Sequence, residues 1–190
     1  TAAGINSLID GDDDLTITGL VGTSTVDVAD NNTAKEVANL VNAKFDSTGV
    51  SATATTTVKL EMLSSDAAGS HVVGFNFYGK NSTAQAISAT VTLGATAATS
   101  DLTNLRDAIN GFSSNTGIRA TLNANKNAIV IVQDEGEDVV IENLDFASVG
   151  NSVNTKLLVT AMNQDQDVSG TQKQVLDTDH DSGNSDSIRF

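Results

Sequence analysis

The chain holds 190 residues, of which 39% are hydrophobic, 4% aromatic and none Trp, enough for one ordinary domain or two small ones with an aliphatic core. It carries 24 Asp and Glu against 10 Lys and Arg, a formal charge of −14, so nucleic-acid phosphates and anionic lipid heads are repelled and neither is an expected partner. Cys and Pro are both absent, which excludes disulfides and thiolate metal sites and spares folding the slow X-Pro isomerisation step.

In chain order, the opening "TAAGINSLIDGDDD" has no leader-like apolar segment and reads as an internal piece of a longer protein. No run of about 18 apolar residues follows anywhere, so no span through a bilayer is expected. "LTITG" and "STVDV" alternate apolar and polar residues as half-buried strands do. "NNTAKEVANLVNAKF" then changes to helical spacing, predicting a helix over 33–45. Thr33 and Glu36 form a capping-box pair, in which each side chain satisfies an otherwise unpaired backbone N–H. Ala34, Val37, Ala38, Val41 and Phe45 fall on its buried face. "TGVSATA" and "VKLEML" read as two strands, and "HVVGFNFYG" (71–79) closes the unit.

A second pass of the same plan starts at "AISATVTLG", where Ile87, Ala89, Val91 and Leu93 alternate. Its helix spans 100–112, with Ser100 as the expected cap and Asp101 favoured by the positive end of the helix dipole. Leu102, Leu105, Ile109 and Phe112 form the apolar stripe. "GIRATL", "AIVIV" and "DVVIENL" are the strands that follow. At a spacing of 68 residues Val41 matches Ile109, Asn42 matches Asn110, Thr48 matches Thr116, Gly49 matches Gly117 and Ala52 matches Ala120. The Gly of each Thr-Gly pair is suited to the positive φ that ends a helix and turns the chain back as a strand.

The expected fold is therefore α+β: two tandem β-β-α-β-β units, each a small, mainly antiparallel sheet covered by one helix. The first unit is placed at 13–79 and the second at 80–146, with "YGKNSTAQ" (78–85) as the joint between them. Residues 147–190 hold returning strands in "NTKLLVTAM" and "KQVLD", joined by Asp-rich loops and expected to pack on the first unit.

The repeated pattern strand–strand–helix–"(V/I)N"–"TG(V/I)xA"–strand resembles the motif of bacterial flagellins and flagellar hook-associated proteins. It is carried by "TAKEVANLVNAKFDSTGVSATA" and more closely by "SDLTNLRDAINGFSSNTGIRATL". The resemblance implies the central variable, outer region of a flagellin, exposed on an extracellular filament and supporting motility. It implies other flagellin subunits as partners in the full-length protein, and loop Ser and Thr residues that can carry surface glycans. The family's terminal polymerising helices have no counterpart in this sequence, so the fragment alone is expected to be monomeric and not to form filaments. A hook-associated or filament-cap domain shares the motif.

Other functions find less in the residues. Asp177, Asp179 and Asp181 alternate as calcium ligands do, and Asp10, Asp12, Asp13 and Asp14 could join them. Ser182 and Ile188 occupy the places where an EF-hand loop needs Gly and Glu, so a solvated acidic loop is the simpler reading. A calcium-binding or adhesive cell-surface module is the alternative this segment supports. His71 opens an apolar strand and His180 sits in the acidic loop. No nucleophile elbow, HExxH pair or phosphate loop is present, so neither enzyme activity nor a cofactor is expected. Asn31 and Asn81 head Asn-x-Thr tripeptides, a pattern common by chance.

Overall fold

The computed structural model describes residues 9, 11, 14–62, 68–147, 156–163, 165, 167–177 and 188–190. A short hairpin opens the chain, β1 (Leu15–Thr18) pairing antiparallel with β2 (Thr23–Val26). Helix α1 (Ala34–Asn42) follows, then the single turn α2 (Phe45–Thr48) and strand β3 (Thr56–Met62). Strands β4 (Gly69–Tyr78) and β5 (Gln85–Leu93) form a long hairpin before α3 (Thr103–Gly111) and the short α4 (Ser113–Thr116). Strands β6 (Ile118–Leu122), β7 (Ala128–Gln133), β8 (Val140–Ala147), β9 (Lys156–Met162), β10 (Val168–Asp177) and β11 (Ile188–Arg189) complete the fold.

Two antiparallel sheets result, one in the order β10-β9-β3-β7-β6 and the other β11-β8-β4-β5. Their inner faces supply one aliphatic core. Val58 and Leu60 of β3, Ile129 and Ile131 of β7 and Leu157 and Val159 of β9 share a cluster with Val73, Phe75 and Phe77 of β4, Ile87 and Val91 of β5 and Ile141 of β8. The Phe75 and Phe77 rings meet edge to face at 5.6 Å, a preferred aromatic geometry. Helix α3 packs against β5 and β6, the edge strands of the two sheets, and seals Leu102, Leu105 and Ile109 completely.

This layout departs from two self-contained sheets. Strand β3 of the first unit is hydrogen-bonded between β7 of the second and β9 of the C-terminal segment. Strand β4, placed by its periodicity at the close of the first unit, makes ladders with β5 and β8 of the second. The physical reason lies in one turn. Between β6 and β7 the sequence "NANKN" folds back: Lys126 takes φ 61°, and Asn123 Oδ1 accepts the N–H groups of Asn127 and Ala128. The first copy has "TATTT" at that place, without Gly or Asn, so residues 50–55 enter no ladder and lead straight into β3. The two strands expected there are one. In the C-terminal segment β9 pairs with β3, whereas β11 pairs with β8.

Three smaller expectations are also corrected. Phe45 does not extend the α1 stripe; α1 ends at Asn42, and Phe45 starts α2 with half its surface in water. Ser100 does not cap α3. Its buried hydroxyl accepts from Gly94 N, and Asp101 Oδ1 accepts the Thr103 N–H at 2.9 Å instead. The Thr103 side chain first, and its backbone N–H second, hold the Asp101 carboxyl below the usual range. The expected joint at 78–85 is the β4–β5 hairpin turn, closed by Asn81, whose carboxamide accepts from Gly79 N and donates to Phe77 O and Thr83 O.

Where the repeats do meet, a polar clamp ties them. Lys35 at the start of α1 donates its backbone N–H to Gly136 O at 2.9 Å, and its ammonium lies 2.8 Å from Glu135 and 2.9 Å from Glu137. These carboxylates raise the Lys35 pKa above the usual lysine range, and Lys35 in turn lowers that of Glu135. Nearby, buried Arg189 pairs with buried Asp138 and reaches Asn31 O at 3.2 Å, joining β11 to both repeats. Burial pushes the Asp138 carboxyl up, against the opposing pull of Arg189.

Candidate functional site

The repeated feature is a corner, built twice from the same atoms. After each helix a one-turn segment ends in a buried Thr followed by Gly. Gly49 takes φ 73° and Gly117 φ 69°, the left-handed conformation that closes a helix at little cost only for glycine. Thr48 Oγ1 donates to Lys44 O at 2.9 Å and accepts Val50 N at 3.1 Å. Thr116 Oγ1 likewise donates to Phe112 O at 3.0 Å and accepts Ile118 N at 3.2 Å. Each hydroxyl thus satisfies both a helix-end carbonyl and the first N–H of the outgoing segment.

An asparagine completes the corner. Asn42 Nδ2 donates to Ala52 O at 2.9 Å and its Oδ1 accepts Ala52 N at 2.8 Å. Asn110 makes the same pair with Ala120, at 2.9 and 2.8 Å. A carboxamide presents one donor and one acceptor side by side, as a neighbouring strand's backbone would, so it pairs with the outgoing backbone and, at Ala120, caps the free edge of β6. This explains why the pattern needs Asn one place after the apolar Val or Ile and ten places before the Ala. The sequence comparison showed Asn42 and Asn110 as matched but gave them no role.

The incoming hairpin closes against the same point. A Cβ on Gly19 would lie 2.1 Å from Thr48 O, and one on Gly79 would lie 2.3 Å from Thr116 O. Val21 N donates to Thr48 O at 3.3 Å, and Lys80 N to Thr116 O at 2.9 Å. This glycine pair was not identified from sequence, because it recurs at a spacing of 60 residues and not 68 (Gly19 to Gly79). The available signal was a Gly closing an alternating strand in both "LTITG" and "FNFYG". The Thr and Asn side chains of the corner are neutral, and both bond to its own backbone.

Of the other sequence candidates, only some fall among the described residues. Asp177 is the last residue of β10, while Asp179, Asp181 and His180 lie outside the described residues. Asp14 Oδ1 accepts Val28 N at 3.3 Å; Asp10, Asp12 and Asp13 also lie outside. Among the described residues no group of three or more His, Asp or Glu is gathered as metal ligands would be. His71 is buried within β4, opposite Val91. No helix of the described residues is long and apolar enough to cross a membrane.

Comparison with known proteins agrees with the corners. The family model described as the flagellin hook IN motif matches residues 14–66 and again 74–135, more than half of the chain. The second match begins inside β4, so the motif takes that strand as the first of its hairpin, as the ladders do. No curated protein matches the chain in a sequence search. Two motif matches, each containing an Asn–Thr-Gly corner of the same geometry, make this chain a member of the flagellin hook IN motif family, with a flagellin-related structural role.

Proposed function

We propose that the chain is the outer domain of a flagellin, exposed on the extracellular surface of the flagellar filament and acting there in support of motility. The observation that carries the reading is the double motif built into one two-sheet body under a charge of −14. Such a body suits a load-free surface position. It adds bulk and an anionic, hydrated coat, and like charges resist close approach of neighbouring bodies within the screening length of about 10 Å at 0.1 M salt. The longest helices among the described residues have nine residues, too short to sustain the heptad packing of a polymer core. Other subunits of the filament are the partners, exposed loop hydroxyls such as those of Ser51 and Thr53 are the places for surface glycans, and no catalysis is involved.

Antibodies raised against the chain, applied to isolated flagella and viewed in negative stain, test the reading. Regular decoration along the whole filament is expected. Label confined to the hook junction or the filament tip would assign the chain to a hook-associated or cap protein, the second reading that the motif's own description favours. Absence of label from flagella would remove both. The purified chain itself is expected to remain soluble and monomeric at micromolar concentration, checked by sedimentation.

A further inference from the structure

The two repeats differ where they face water. In the second, the turn residue whose N–H bonds the corner carbonyl is Lys80, which pairs with Glu135; in the first it is Val21, two-thirds exposed. Beside Val21 stands Leu20, fully exposed, and Phe45 takes the place of Ser113. Folding the corner requires none of these apolar side chains, because the sister corner folds without them. The whole hairpin from Leu15 to Val26 carries no charge.

A second uncharged surface lies on the same repeat. Val37 and Val41 correspond, at the repeat spacing, to Leu105 and Ile109, which α3 seals fully between β5 and β6. On α1 the stripe instead lines an open groove of about 410 Å³ with Ala38, Ala54 and Met162, and no side chain on its walls is charged. An apolar knob and an apolar groove thus both belong to the first repeat of a strongly anionic molecule.

We infer that these are the two halves of one contact: the Leu20–Val21 knob of one copy of this chain enters the α1 groove of the next. The inference rests on the filament reading, which sets copies of the chain side by side. A second copy fits better than an unrelated partner on two grounds. Both surfaces are uncharged, so they are where two bodies of charge −14 can touch with least repulsion. Knob and groove are also different surfaces, so the contact is head to tail and can repeat along a polar assembly, which a self-complementary patch cannot. A few side chains cover far less than the roughly 1,200–2,000 Å² of a stable interface. Free copies therefore stay apart, and copies tethered at effective concentrations of about 1 mM engage.

The native chain has no Cys, so single thiols report the contact cleanly. Chains carrying Leu20→Cys, Ala38→Cys and Lys80→Cys are each first checked for an unchanged melting curve. Pairs, one member isotope-labelled, are mixed at about 1 mM under mild oxidation and the disulfide-linked species weighed by mass spectrometry. The Leu20→Cys/Ala38→Cys heterodimer should exceed both the Leu20→Cys homodimer and the Leu20→Cys/Lys80→Cys heterodimer several-fold. Equal yields across the pairs, or a dominant Leu20→Cys homodimer, would overturn the inference. Antibody-labelled filaments without this cross-link would remove the contact alone; the cross-link with unlabelled flagella would remove the filament reading alone.

Discussion

Helices α1 and α3 have the same length and end in the same corner, yet one is core and the other is cover. Leu105 and Ile109 of α3 are 0% exposed, whereas α1 buries only Val41, and that to 7%. The difference does not come from the helices' own apolar spacing, since both present apolar residues at the matching positions. It comes from the strands beside them. Strands β5 and β6 stand at the edges of two full sheets and close on α3, while beside α1 runs the unladdered 50–55 stretch. A supersecondary motif thus specifies its corner locally, but how deeply its helix is buried depends on the sheets that the rest of the chain supplies.

Truncating the two stripes should show the largest contrast. Leu105→Ala opens a cavity in a fully sealed site and should cost about 3–5 kcal/mol in urea unfolding. Val37→Ala, at the corresponding place on α1, removes half-buried methyls that border an open groove and should cost about 1 kcal/mol or less. Equal losses would mean that α1 is sealed as tightly as α3.

The glycines come next. Gly79→Ala sets a methyl 2.3 Å from the Thr116 carbonyl oxygen, so hairpin and corner must separate. Gly117→Ala meets no backbone, only the flexible Lys80 side chain at 3.1 Å and Gln133 Nε2 at 3.2 Å, but it forces a side chain into the left-handed region, a cost of about 1–2 kcal/mol. The first substitution should therefore lower the melting temperature more than the second. The reverse order would show that conformation, and not the close approach, fixes the glycine.

These corners were largely legible in the sequence. The Thr-Gly pairs, the Thr33–Glu36 capping box and the apolar stripes are local features, and local chemistry decides them. Strand partners were not legible, because alternation shows that a segment is a strand without saying what it pairs with. Thus β4 read as the end of one repeat and forms its ladders with the other. The β6–β7 turn could have been found from "NANKN" against "TATTT", since Asn supplies the left-handed and side-chain-bonded turn positions that Thr lacks. Asn42 and Asn110 were visible as matched letters, but a bond to a backbone ten residues on leaves no periodic trace.

The asparagine bracket gives a smaller and sharper contrast. Asn110→Ala leaves the amide and carbonyl of the buried Ala120 without their partner beside a packed helix and should cost about 1–3 kcal/mol. Asn42→Ala frees the same groups at Ala52, where water can replace the carboxamide, and should cost about 0.5–1.5 kcal/mol. Amide exchange at residues 52 and 120 in the two variants reports which edge opens.

The caps of the two helices differ as well, and pH separates them. Thr33 caps α1 with a neutral hydroxyl, while Asp101 caps α3 with a carboxylate whose pKa is lowered by its hydrogen bonds with Thr103. A lowered folded-state pKa stabilises the fold fully above the ordinary value of 3.8, and that stabilisation is lost as pH falls through the folded value. Asp101 is half exposed, so solvent screening keeps the effect of Asp101→Ala to about 0.5–1 kcal/mol at neutral pH. The melting curves of the variant and the native chain should therefore converge below pH 3.8, whereas the gap left by Thr33→Ala should lack this dependence on the Asp101 charge. An Asp101→Ala gap that stayed constant from neutral pH down to the acid limit would show that the carboxylate's charge contributes nothing to holding the start of α3.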